Sequence, residues 1–109
     1  MTEDYIIHYS QDALNDLREI YSYISNKLLQ TENAESQINK ILKGIRSLEF
    51  MPSRYILVDW EPWHSLKMHQ LSIDNFIVFY LVDNEKNTVT IVRIIYGGRN
   101  IENMISSKE

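Results

Sequence analysis

The chain contains no cysteine, so it has no disulfide framework, no thiolate metal site and no cysteine nucleophile. No apolar run approaches about 18 residues, so no segment reads as a transmembrane helix. The opening MTEDYIIHYS is acidic and passes straight into a strand-like run, unlike a secretory signal. There is no HExxH, P-loop or GxSxG motif, and the pair Gly97-Gly98 is too short to cradle a phosphate chain. The three histidines, His8, His64 and His69, show no helical pairing, which argues against a metal site. The expectation is a cytoplasmic protein with no membrane segment, no metal and no cofactor.

What is present points to one folded domain over residues 1–109. At this size a chain buries roughly 65% of its unfolded surface, enough for one core of sheet and helix. Apolar residues make up 44% of it and there is no low-complexity tract, so it is expected to fold. The net charge is −4, and it is unevenly spread. Residues 1–37 carry Glu3, Asp4, Asp12, Asp16, Glu19, Glu32 and Glu35 against Arg18 and Lys27. Residues 40–54 reverse this, with Lys40, Lys43, Arg46 and Arg54 against Glu49. A protein that lives on phosphate contacts normally carries a basic surplus, so any nucleic-acid site here must be a local patch.

Periodicity supplies the elements. Tyr5-Ile-Ile-His-Tyr9 is β-branched and aromatic, a short strand. Ser10 stands where an N-cap belongs, with Asp12 in the first turn. Ala13, Leu14, Leu17, Ile20, Tyr21, Ile24 and Leu28 then form one apolar helical stripe. After a polar break at residues 30–33, Ala34, Ile38, Ile41, Leu42, Ile45 and Leu48 repeat the period. That helix should stop near Phe50-Met51, ahead of Pro52. A candidate strand at 55–58, an irregular stretch at 59–63 and an alternating run at 65–71 follow. In that run Leu66 and Met68 fall on one face and Lys67 and His69 on the other. Residues 76–82 are apolar on both faces, as in a central strand. The last strand, 88–96, places Val89, Ile91, Arg93 and Ile95 on one face and Thr90, Val92, Ile94 and Tyr96 on the other. The predicted order is β-α-α-β-β-β, an α+β domain whose helical hairpin packs on one face of a twisted antiparallel sheet. A closing helical turn is expected over 100–105.

The chemistry-bearing candidates are basic and aromatic: Arg54, His64, Lys67, His69, Arg93, Tyr96 and Arg99. If the helices cover the Leu66/Met68 face, Lys67 and His69 line the opposite, open face. Such a set suits phosphodiester cleavage by internal attack of a 2′-hydroxyl, with His69 as base or acid and Lys67 and Arg99 holding the phosphate. A solvated strand face explains the same spacing. Trp60 and Trp63 flank Glu61-Pro62 and can stack bases, anchor a protein partner, or fold back over the sheet edge. Arg93, inside an apolar strand, is expected to pair with an acid or to cap the sheet surface.

Four stretches carry a family resemblance: the opening strand, the helix Asp16-Leu-Arg-Glu-Ile-Tyr-Ser-Tyr-Ile24, the run Asp74-Asn-Phe-Ile-Val-Phe-Tyr-Leu-Val-Asp83, and the ending Val-Arg-Ile-Ile-Tyr-Gly-Gly-Arg99. Their order and spacing, over roughly residues 4–105, resemble the RelE/ParE superfamily of bacterial toxins from type II toxin–antitoxin pairs. The resemblance implies a growth-inhibiting toxin, used in plasmid stabilisation among other settings and neutralised by a cognate antitoxin. It implies contact with DNA only indirectly, through that antitoxin. RelE-like members cut mRNA on the ribosome without a metal, and ParE-like members poison DNA gyrase. The nuclease pattern is half present: Lys67 and Arg99 match and His69 is a basic replacement, but Phe76 and Ile105 stand where arginine and tyrosine belong. The apolar last strand followed by Tyr-Gly-X-Arg fits the ParE-like pattern more closely. Arg54, His64, Tyr96, Trp60 and Trp63 are the candidates for target contact. A module that binds the antitoxin without toxicity is the further alternative.

Overall fold

The computed structural model describes residues 4–27 and 31–97. Strand β1, Ile6–Tyr9, leads into helix α1, Gln11–Ser22, which runs on through a π-helical turn at Tyr23–Lys27. Helix α2 spans Thr31–Arg46, and single 3-10 turns follow at Ser47–Glu49 and Pro52–Arg54. Strands β2, His69–Ile73, β3, Phe76–Asp83, and β4, Thr88–Tyr96, complete the fold. The four strands form one sheet in the order β1-β4-β3-β2. The helical hairpin and the element order are as the periodicity predicts. The sheet is mixed: β2, β3 and β4 are antiparallel, and β1 joins β4 in parallel.

Local chemistry explains the elements. Ser10 caps α1, its hydroxyl accepting from the Ala13 N–H at 3.0 Å and donating to the Val92 carbonyl at 2.8 Å. One small side chain thus starts the helix and ties it to the last strand. On the helix side of the sheet, Ala13, Ile41, Ile45 and Leu48 pack on Leu71, Val78, Tyr80, Val89, Ile91 and Ile94. Gly44 allows the close approach of α2 to β2, since a Cβ there would overlap Cδ1 of Ile73 and lie 2.9 Å from its Cγ1.

Strand β4 does not alternate as simple counting predicts. Tyr80 pairs with Ile91 but Phe79 pairs with Arg93, so Val92 is the extra residue of a β-bulge. The bulge swaps the faces beyond it. Val89 and Ile91 face the helices, and so does Ile94, whereas Val92 and Ile95 pack on the far side. That corrects the expectation that Ile95 shares a face with Val89 and Ile91.

Candidate functional site

The connection from Ser47 to Val58 has almost no ladder hydrogen bonds, so its carbonyls need partners from side chains. Arg54 supplies several. Its guanidinium donates to the carbonyls of Phe50, of Met51 at 3.0 Å and of Ser47 at 3.3 Å, and it lies 4.6 Å over the Tyr55 ring. The buried Tyr80 hydroxyl donates to the Pro52 carbonyl at 2.6 Å, and desolvation raises its pKa well above the ordinary phenol value. Nδ1 of His69 sits 2.8 Å from the Tyr55 carbonyl, and Nδ1 of His64 sits 2.8 Å from the Val58 carbonyl. A carbonyl oxygen only accepts, so each ring donates from Nδ1. Three of the basic candidates, Arg54, His64 and His69, therefore serve the backbone of one irregular segment.

Lys67 and His69 do not form the pair that alternation predicts. Strand β2 begins at His69, and Lys67 precedes it in the left-handed region at φ 61°. His69 shares the helix side with Leu71, its ring stacked on Tyr80 at 5.2 Å and 15°. Met68 instead packs on the far side, and Leu66 stays 58% exposed rather than entering the core. The physical reason is that turns, not a strand, run from Glu61 to Lys67, so alternation starts at His69, four residues later than the sequence suggests. Lys67 is exposed, and its ammonium has no acceptor among the described residues.

The far side of the sheet is not open. Val58, Trp63 and Met68 close over Phe79 and Ile95, with Trp60, Ile77, Leu81 and Val92 around them. Trp60 stacks on Trp63 at 5.0 Å and 23°, and Trp63 meets Phe79 edge-on at 4.8 Å. Backbone bonds from His64 N–H to Trp60 O and from Met68 N–H to Trp63 O lock the loop. Glu61 accepts from the hydroxyl and N–H of Ser65 at 2.8 and 3.0 Å, and these two bonds hold its carboxyl below the usual glutamate range. Of the three uses open to the tryptophans, folding back over the sheet is the one the packing displays. Tyr96, 49% exposed, leans edge-on against Phe76 beside an open depression of about 360 Å³ lined by Ser72, Asp74, Asn75 and Gly97.

Arg93 finds its acid in Asp16. Nε and Nη2 donate to the two carboxylate oxygens at 2.8 and 3.0 Å, and the Ile94 N–H donates to the same carboxylate at 2.9 Å. The hydrogen bond to Asp16 raises the Arg93 pKa, outweighing the opposing effect of burial. Strand β1 pairs only Thr88 to Ile91, so the rest of the outer edge of β4 would be bare. Ser10 and Asp16 cover that edge, and Asp16 is the one buried charged residue among those described. Sequence reasoning counted Asp16 only as an acid. Its place three residues after Ala13 and four before Ile20, on the apolar stripe, was the available signal.

Arg99, Ile105 and the expected helical turn at 100–105 lie outside the described residues. Among the described residues no three side chains of metal-ligating type come together, and no helix is long and apolar enough to cross a membrane. The cationic candidates are thus dispersed: Arg54, His64 and His69 on carbonyls, Arg93 on Asp16, Lys67 alone at a turn.

A search by sequence of curated proteins finds no match. In fold the chain is similar to a chain of the chromosomal ParDE toxin–antitoxin system of P. aeruginosa, with TM-score 0.70, 18% identity, and 87% of this chain and 98% of that one covered. It is also similar to a chain of the RelBE2 toxin–antitoxin complex of Mycobacterium tuberculosis, with TM-score 0.59, 16% identity, and 88% and 94% covered. A free double arginine-to-alanine variant of the E. coli toxin RelE aligns at TM-score 0.64, 13% identity, and 94% and 92% covered. The family described as ParE toxin of type II toxin–antitoxin system, parDE, matches residues 7–101. That match starts inside the first strand and runs past the last, and the chain belongs to the ParE toxin family of type II toxin–antitoxin systems.

Proposed function

We propose that this toxin arrests growth by inhibiting DNA gyrase in the cytoplasm, and that a cognate antitoxin holds it inactive until released. The observation that carries the reading is the engagement of the cationic candidates. Cleavage of RNA by its own 2′-hydroxyl needs a base, an acid and cations aimed at one phosphate. Here the Arg54 guanidinium is spread over backbone carbonyls, His69 is stacked under the helix side, and the far face is filled by Trp60 and Trp63. The ParE family match and the net charge of −4 support the same reading. Toxin–antitoxin complexes among the similar structures support the antitoxin partner.

Ribosome-dependent mRNA cleavage is the second reading, and two observations favour it. Among the described residues, none engages Nε2 of His64 or of His69 or the Lys67 ammonium. In that case Lys67, His69 and Arg99 act on the scissile phosphate, with Arg54, His64, Tyr96 and the tryptophans in binding roles.

Induction without the antitoxin, with pulse labelling by thymidine and methionine, separates the readings. Gyrase inhibition predicts early loss of thymidine incorporation and loss of supercoiling activity in a purified assay. Early loss of methionine incorporation instead, with Lys67→Ala and His69→Ala relieving it, overturns the gyrase reading. Unchanged growth makes the chain an antitoxin-binding module.

A further inference from the structure

The Ser47–Val58 connection inverts the usual division between polar and apolar side chains. Its polar partners, Arg54, Tyr80, His64 and His69, point at its own carbonyls. Three of its apolar side chains face solvent: Phe50 is 51% exposed, Met51 54% and Ile56 70%. Burying such side chains stabilises a fold, and leaving three exposed within seven residues forgoes that gain. Nor is this segment a loose loop. Met51 is held at φ 47°, a left-handed geometry that a long side chain adopts only when its surroundings impose it, and the Arg54 guanidinium grips the carbonyls on both sides of that strain. A stapled, strained segment that presents apolar groups outward is preorganised for contact, because little further ordering is needed on binding.

Charge gives the chemistry of the partner. In a chain of net charge −4, residues 40–54 carry four cations against Glu49 alone. Lys43 and Arg46 are exposed in the last turn of α2, which leads into the segment, and the exposed Arg54 donates to the carbonyls of Phe50 and Met51. Phosphate backbones would answer the cations but not Phe50, Met51 and Ile56. We propose that Phe50, Met51 and Ile56, with the cationic last turn of α2 at Lys43 and Arg46 leading into them, form the surface through which this toxin grips its protein target, whose contact face combines aliphatic or aromatic side chains with carboxylates. This rests on the reading of a protein target above. The apolar side chains supply the affinity, and the cations of the last α2 turn steer the encounter.

The test uses the full chain and a triple variant, Phe50→Ser, Met51→Asn and Ile56→Ser. Asparagine is chosen because it tolerates left-handed backbone. Arg54 is left in place so that the staples survive. Both chains are assayed for inhibition of gyrase supercoiling, for antitoxin binding by titration calorimetry, and for thermal unfolding. The expected result is at least a tenfold loss of inhibition, with antitoxin affinity and melting temperature unchanged. A second variant, Lys43→Glu with Arg46→Glu, should weaken inhibition several-fold at low salt and much less at high salt. Equal inhibition by the triple variant and the parent overturns the surface while leaving the gyrase reading standing. A parent that does not inhibit gyrase sinks that reading, and growth arrest by the triple variant against the parent then tests the surface alone: persistence of arrest overturns it. Loss of antitoxin binding in the triple variant also overturns it, since the surface then belongs to the antitoxin.

Discussion

The two faces of the sheet are both sealed, but by different means. On one side two helices lay aliphatic stripes across the strands, with Ile41, Ile45 and Leu48 among the fully buried side chains. On the other, a single loop folds down and fills the space with stacked tryptophans against Phe79. Helices bring their own hydrogen bonds, so that face needs only apolar period and small residues at close approaches. The irregular connection that leads into this loop, Ser47–Val58, brings carbonyls without ladder partners, so it recruits two histidines, a tyrosine and an arginine as donors. A cluster of basic and aromatic residues is then a consequence of running irregular chain between the helices and the sheet. Residues that read as a catalytic set in one dimension also serve as backbone donors in three.

The comparison can be broken hardest at Asp16, which belongs to the helical layer but seals the edge of β4 rather than its face. Asp16→Ala leaves a largely covered Arg93 side chain unpaired and the Ile94 N–H without its acceptor, at a cost of about 3 kcal/mol in urea unfolding, the low end for a broken buried pair. Trp63→Ala comes next. A core position loses about 3–5 kcal/mol for this change, and a loop that can collapse should stand at the low end, near 3 kcal/mol. A loss much below 1 kcal/mol, with amide exchange raised only over residues 56–68, would show the loop side to be a separately melting cover.

Tyr80→Phe probes the staples. It removes the donor to Pro52 and should cost about 1–3 kcal/mol. Its pH dependence has a definite sign. Tyr80 binds its proton more tightly folded than unfolded, so its contribution is whole below the unfolded phenol value near 10 and fades as pH rises above it. The parent should therefore lose stability through the alkaline range more steeply than the phenylalanine variant, although Tyr9, also raised by burial, leaves some slope in both. The smallest effect is expected at Gly44. Alanine there gains about 0.5–1 kcal/mol in helix preference but meets the end of the Ile73 side chain, so Gly44→Ala alone should be near neutral. Combined with Ile73→Val, which removes Cδ1, the same change should recover part of the helix gain over Ile73→Val alone.

Much of the fold was legible because it rests on period and capping. The Ser10 cap, both helical stripes and the doubly covered β3 follow from residues a few positions apart. The faces of β4 beyond Ile91 were not legible, because a bulge at Val92 answers a register set by β3. The parallel placement of β1 beside β4 is likewise a matter of distant partners. The candidate site was the least legible part. His69 and Lys67 differ by two positions, yet their faces depend on where β2 begins, which turns at residues 61–67 decide. Arg93 was legible as a paired cation but its partner was not, since Asp16 is 77 residues away.

The pairing of β1 with β4 also sets a timetable. Ser10 bonds Val92 and Asp16 bonds Arg93 across 82 and 77 residues, so the two elements made first are fastened by the strand made last. Contacts of such long sequence separation form late, after local helices and hairpins. On the ribosome the helical hairpin emerges with its apolar stripes uncovered, and nothing can seal them fully until residues 88–96 leave the tunnel. A translation product stopped before Thr88 lacks both fastenings, so interrupted synthesis leaves β1 and α1 without the strand that holds them.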